Sequence, residues 1–164
     1  MTTIAIKDGV MACDSQVTTG TMISQFKFDK VILHNDTYYG FAGSCHNIQI
    51  VQSYIKGDLE LGDIPDSVNV TYLCMPAKGP AYQRHLHKNF ITLMKLPSFY
   101  AIGSGADYAM VAMSCGKSAV EAVKEAIKWD CFSGGKVKAY SFNNVKKPRK
   151  APRALNLLDI EWEK

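Results

Sequence analysis

No apolar run in this 164-residue chain reaches the roughly 18 residues a membrane-crossing helix needs, so a helical membrane protein is excluded. The opening residues lack the basic stretch and apolar core of a secretory signal. Five cysteines, an odd number with no C-x-x-C spacing, argue against a disulfide framework and for reduced thiols in a cytoplasmic protein. Internal repeats and low-complexity tracts are absent. The net charge of +4 is modest, and much of the excess lies near the C-terminus, so a nucleic-acid partner is not expected. What remains is ordinary globular usage, 47% hydrophobic and 21% charged, at a length suited to one domain with a sizeable core. We expect that domain over 1–143. A basic tail over 144–164 is expected to pack on it or on a neighbour.

The informative stretch is the start, Thr2-Thr3-Ile4-Ala5-Ile6-Lys7-Asp8-Gly9-Val10-Met11-Ala12-Cys13-Asp14-Ser15. Two apolar runs flank an Asp-Gly pair, whose residues tolerate the positive φ angles of a two-residue hairpin turn. With Asp8-Gly9 as the turn, Lys7 faces Val10, Ile4 faces Cys13 and Thr3 faces Asp14. A carboxylate is thereby brought beside the first residues of the chain. After loss of Met1, Thr2 would carry both a hydroxyl and a free α-amine, a pairing that can serve as nucleophile and base. The amine's reference pKa of roughly 7.7–8.0 leaves part of it unprotonated near neutrality. The plainer alternative is an ordinary hairpin with Asp14 in the following turn.

Further along, 16–20 reads as a turn, and 27–34 and 37–42 read as strands joined at Asn35-Asp36. That register sets Lys30 opposite Phe41 and Asp29 opposite Ala42. If the two hairpins lie side by side in one sheet, their polar ends converge. Ser44 or Asn47 caps a helix running to about 56, with Ile48, Val51 and Ile55 on one face. The stretch 57–65 is turn-like. Strands are expected at 68–75, 80–85, 90–96 and 99–102. A helix follows through Tyr108, Val111, Ala112 and Cys115. Ser118 and Glu121 form a capping box for another, ending near Asp130 with Gly134 as its C-cap. A last strand spans 136–142. Hairpins segregated from paired helices imply an α+β layered fold, not a doubly wound one.

Six segments now fall into a recognisable order: Thr2-Thr3-Ile4, Ala12-Cys13-Asp14-Ser15-Gln16, Lys30-Val31, Gly40-Phe41-Ala42-Gly43, Ala101-Ile102-Gly103-Ser104-Gly105 and Asp130-Cys131-Phe132-Ser133-Gly134-Gly135. Together they resemble the proteasome β-type subunits and the HslV protease, which are N-terminal nucleophile (Ntn) hydrolases with a four-layer αββα sandwich. The resemblance implies a threonine endopeptidase needing no cofactor. Thr2 would be the nucleophile after Met1 is removed, and Thr is small enough to follow a cleavable methionine. Lys30 would lower the pKa of the Thr2 amine and hydroxyl, and Asp14 would hold Lys30 charged and aimed. The Gly43 N–H would donate to the oxyanion. Ser104, Asp130 and Ser133 would surround the Thr2 amine. Val17, Thr18, Phe28, Ile32, Phe41 and Cys45 would line the pocket for the substrate residue before the cut, which their mainly apolar character makes selective for apolar residues. By the same analogy the partners would be further copies of the chain in a ring, unfolded protein or peptide substrates, and an ATP-dependent unfoldase.

The pattern departs from the family in two places. Residues 57–67 look unable to form the second long helix common in the family, so one helix is expected to be missing or shortened. The segment 85–96 adds β-structure without an assigned role. His85 and His87 would share one strand face, but no carboxylate or cysteine stands at ligand spacing, so no metal is expected. The basic run 146–153 reads as a solvated tail, and Cys45 and Cys115 as buried fillers. Two rival functions remain in view. One is an inactive ring or scaffold component that keeps Met1; the other is an Ntn amidohydrolase acting on a small amide.

Overall fold

A computed structural model of the chain describes residues 2–88 and 90–142. Strands β1 (Thr3–Lys7) and β2 (Val10–Cys13) form the first hairpin, in the register expected from Asp8-Gly9. Both turn residues have positive φ, 51° and 71°, as a mirror-image two-residue turn requires. Strands β3 (Val17–Thr19) and β4 (Met22–Gln25) make a separate small hairpin. The expected turn at 16–20 is therefore corrected. Its strands are three and four residues long and β4 is exposed throughout, so no apolar alternation marked them.

Strands β5 (Val31–His34), β6 (Thr37–Ala42), β7 (Asn69–Pro76), β8 (Tyr82–His87) and β9 (Phe90–Lys95) form a five-stranded antiparallel sheet in chain order. Strands β10 (Phe99–Gly103) and β11 (Lys138–Tyr140) flank the first hairpin in a four-stranded sheet ordered β10-β1-β2-β11. The two hairpins thus belong to different sheets and face one another across a sandwich, which corrects the side-by-side expectation.

Residue size assigns the layers. Along β1, Ile4 and Ile6 turn inward with Met11, Cys13, Leu73, Met75 and Ile102 to fill the space between the sheets. Ala5, with Ala12 and Ala101, faces the other way. There α2 (Ala106–Ser114) and α3 (Ala119–Trp129) pack through Ala109, Ala112, Ala122, Val123 and Ala126. Small residues on both partners let the helices lie close to the sheet. On the opposite face α1 (Cys45–Lys56) places Ile48 and Val51 over Phe41, Val70, Tyr72 and Leu86. Its N-cap is Ser44, whose hydroxyl accepts from the Asn47 N–H at 3.3 Å.

The layers are therefore helix, sheet, sheet, helix, the expected αββα arrangement. Between α1 and β7 there is only a 3-10 turn at Leu61–Asp63, so among the described residues this outer layer has one helix where two were in question. The stretch 27–30 is not strand, because Lys30 turns into the site described next. The expected last strand shortens to β11. Gly134 does not cap α3; Asp130 is the C-cap, its N–H bonded to the Ala126 carbonyl. Cys115 is exposed, and the buried cysteines are Cys13 and Cys74. Met1 and the tail expected over 144–164, with its basic run, lie outside the described residues.

Candidate active site

The site lies where the ends of β1, β2 and β6 meet across the sandwich. Asp14 is fully buried and follows β2 directly. Its Oδ1 accepts from the Thr2 hydroxyl at 2.7 Å, the Thr3 N–H at 2.9 Å and the Lys30 ammonium at 2.7 Å. Its Oδ2 accepts from the N–H groups of Gln16 at 3.2 Å and Gly134 at 3.0 Å. Five donors converge on one carboxylate, which is how a charge is accommodated out of water. Thr2 Oγ1 and Lys30 Nζ thus meet at a single oxygen.

Lys30 is 3% exposed and precedes β5, where its carbonyl accepts from the Phe41 N–H at 3.0 Å, as the register required. Burial pulls its ammonium below the ordinary lysine value, and Asp14 opposes that pull. The adjacent Cys13 thiol is pushed up to about 12, by burial first and then by Asp14. It stays neutral and leaves the Asp14–Lys30 pair as the charged unit.

A second polar cluster sits on the helix side. Side chains alternate along a strand, so Thr3 points away from Ile4 and toward α3. Its hydroxyl lies 2.7 Å from that of Ser133. Ser133 and Ser104 donate to Asp130 Oδ2 at 2.6 and 2.7 Å, and the Phe132 N–H donates to Oδ1 at 3.1 Å. The Ser104 hydroxyl also reaches the Thr2 carbonyl at 3.4 Å. An aspartate at a helix C-terminus opposes the dipole by about 0.3–1 kcal/mol; these three donors offset that cost. Asp130 therefore ties β1, β10 and α3 together directly behind Thr2.

Two glycines set the local backbone. Gly103 has φ 97°, and a Cβ there would overlap the Thr2 carbonyl oxygen. Gly43 has φ 155° with room for a methyl group, so its constraint is conformational. Thr2 and Gly43 line two cavities in common, one on either side of them. The first, about 230 Å³, is walled by Val17, Thr18, Phe28, Phe41, Cys45 and Ile48, with Lys30 at its base. The second, about 380 Å³, is bounded by Ala42, Thr71, Ile102, Gly103 and Ser104.

Of the seven residues expected to do chemistry, Thr2, Asp14, Lys30, Ser104, Asp130 and Ser133 fall in these two linked clusters, and Gly43 lines both cavities beside Thr2. Five of the six expected pocket residues line the first cavity. Ile32 does not, and is corrected: it packs into the layer under α1 beside Phe41 and Ile48. Sequence reasoning missed Thr3, Gln16, Gly134 and Ile48. Thr3 and Gln16 gave a usable signal, being polar residues hard against apolar strands. Gly134 acts through its backbone, which no side-chain pattern announces.

No family model matches the chain, and no curated protein matches it. Solved structures do. Thiobacillus denitrificans BPH aligns with TM-score 0.67 and 21% identity, over 85% of this chain and 95% of that one. The same protein in complex with epoxomicin aligns at TM-score 0.63 and 21% identity, over 85% and 96%. HslV from Trypanosoma brucei aligns at TM-score 0.61 and 17% identity, over 85% and 97%. The fold is of the HslV and proteasome type; at these identities the likeness extends to the fold alone.

Proposed function

We propose that the chain is a threonine peptidase whose nucleophile is Thr2, exposed as the N-terminal residue when Met1 is removed. One observation carries the reading: the Thr2 hydroxyl and the Lys30 ammonium converge on Asp14 Oδ1, each at 2.7 Å. A structural hairpin has no use for a buried lysine, aspartate and threonine at its open end, since burying that many polar groups is costly without a purpose.

In the proposed reaction Thr2 Oγ1 attacks the substrate carbonyl as its proton passes to the freed α-amine. The Lys30 cation stabilises the developing negative charge on the oxygen. The tetrahedral oxyanion receives the Gly43 N–H, a contact worth ~3–4 kcal/mol of barrier in a dry site. The C–N bond then breaks, the leaving amine takes the proton, and an ester remains on Thr2. Water, deprotonated by the Thr2 α-amine, attacks that ester; its C–O bond breaks, the acid product leaves, and the proton returns to Thr2 Oγ1. Ser104, Ser133 and Asp130 hold the chain terminus in place. The apolar wall of the first cavity selects an apolar residue before the cut. Assembly of identical subunits into a ring and an ATP-driven unfoldase that feeds it belong to this reading by analogy with HslV, while the cytoplasmic location rests on the odd number of cysteines.

The test is intact mass before and after exposure to epoxomicin, paired with hydrolysis of a peptide having an apolar residue before the cut. Loss of Met1, one adduct on Thr2 and cleavage abolished by Thr2→Ala are expected. Cleavage that persists in Thr2→Ala refutes the mechanism. Assembly without labelling identifies an inactive scaffold, and labelling without peptide cleavage identifies a small-amide hydrolase.

A further inference from the structure

We propose that the inward face of β7–β9, beyond the second cavity, binds the part of a peptide substrate that follows the cut, and that it favours acidic residues there. The inference rests on the peptidase reading and extends it to the leaving side. Strand register lays out the surface. Ala42, Thr71, His85 and Thr92 lie directly opposite one another on β6, β7, β8 and β9, forming one straight row across the sheet. The first two line the second cavity with Thr2. At about 4.8 Å per strand the row runs about 14 Å outward, the length of about four extended residues. The next row holds Asn69, His87 and Phe90.

Chemistry along this face is that of a ligand surface, not of a core. Thr71 and His85 are half-buried, while His87, Phe90 and Thr92 are exposed. The Thr71 hydroxyl lies 2.9 Å from His85 Nδ1. When Thr71 donates to that nitrogen, the Nε2–H is left to donate outward. The His87 ring stands 6.3 Å from that of His85, centroid to centroid. Lys88 follows at the tip of the hairpin.

Charge decides the ligand class. From 67 to 106 the sequence contains no aspartate or glutamate, whereas it contains Lys78, Arg84, Lys88 and Lys95 beside the two histidines. Arg84 belongs to the opposite face of β8 and Lys95 to that of β9, so Lys88 and the imidazoles are the groups nearest the row. On the facing sheet the cavity is closed by Ile102, Gly103 and Ser104, which carry no charge. Among the described residues of β6–β9 and of the cavity's facing wall, a carboxylate placed here meets donors and a cation, and no competing anion. A lysine side chain meets the reverse.

The test uses Thr2→Ala protein, which binds without turnover, and two fluorescently labelled peptides. They share an apolar residue before the cut and differ only in Glu or Lys at the second and third positions after it. Fluorescence anisotropy is expected to show the Glu peptide bound about five- to tenfold tighter, a difference that shrinks with added salt. Adding His85→Ala or, in the exposed turn, Lys88→Ser should each reduce the preference at least twofold. Equal affinity for the two peptides, or tighter binding of the Lys peptide, overturns the proposal. So does a preference that both variants leave untouched. A Glu preference in binding together with no hydrolysis by the unaltered chain overturns the peptidase reading and leaves this surface as a peptide-binding face.

Discussion

Asp14 and Lys30 form one ion pair, yet removing either partner should have unequal consequences. Replacing Lys30 by methionine keeps the volume and leaves Asp14 with the N–H groups of Thr3, Gln16 and Gly134 and the Thr2 hydroxyl. A charge-assisted hydrogen bond is lost, about 1.5–3 kcal/mol, but the desolvation of an ammonium is lost with it, so a net cost of about 1–2 kcal/mol follows. Replacing Asp14 by asparagine instead leaves that ammonium buried without its anion and turns an NH₂ toward groups that are themselves donors. Breaking a buried pair in this way costs about 3–5 kcal/mol, a large share of the stability of a domain this size.

The sign of the pH dependence separates the two further. Lys30 titrates below its ordinary 10.5 through burial, and Asp14 resists that shift; in Asp14→Asn the resistance is gone and the folded value falls further. Between the folded value and 10.5 the unfolded chain holds the extra proton, so stability rises with pH across that window and is complete above it. The deficit of Asp14→Asn should therefore shrink as pH rises, while that of Lys30→Met should not. Guanidinium titrations at several pH values measure both. Peptide hydrolysis should fall at least about 10²-fold in each variant. A larger stability loss in Lys30→Met than in Asp14→Asn, or activity within tenfold of the parent in Lys30→Met, would refute the convergence of donors as the basis of the site.

Gly103→Ala should cost about 1–3 kcal/mol from backbone strain and displace Thr2, lowering kcat by about 10²-fold; a variant with parental kcat contradicts the packing against the Thr2 carbonyl. Cys45→Trp fills the cavity before Thr2 and should cut kcat/KM for a substrate with Leu at that position by about 10–200-fold relative to one with Ala, read from paired fluorogenic peptides. Ser118→Ala removes a capping box remote from the site. It should lower stability by about 1 kcal/mol in a thermal melt and leave kcat unchanged.

Most of the fold could be read because strong local signals happened to agree with the tertiary arrangement. Asp8-Gly9 fixed one register and Asn35-Asp36 the other, both through positive-φ turns. Ser118 and Glu121 marked the start of α3, which begins one residue later. The failures share a cause. Strands β3 and β4 bury no face, so nothing in their composition distinguishes them from a loop. Hairpin pairing says which residues face each other within a ribbon but nothing about what the ribbon lies against. Stacking of the two hairpins, in place of edge-to-edge pairing, was settled by the sizes of Ile4, Ile6 and Met11 on one side and Ala5 and Ala12 on the other.

That same alternation explains why the candidate site was only partly legible in the chain. Thr2 and Thr3 are adjacent and point to opposite sides of β1, so one reaches Asp14 between the sheets and the other reaches Ser133 beside α3. A one-residue slip would exchange them, placing Thr3 where Thr2 now stands and burying Ile4 among the alanines under the helices. The register that fills the apolar layers therefore also chooses which threonine meets Lys30. Because the core holds that register, the proposed chemistry should tolerate changes at the cavity rim, such as Thr18, far better than changes of size at Ala5 or Ile4. The backbone donors of Gln16 and Gly134 escape the sequence because any residue could supply them. Only the fold brings them within 3.2 and 3.0 Å of Asp14.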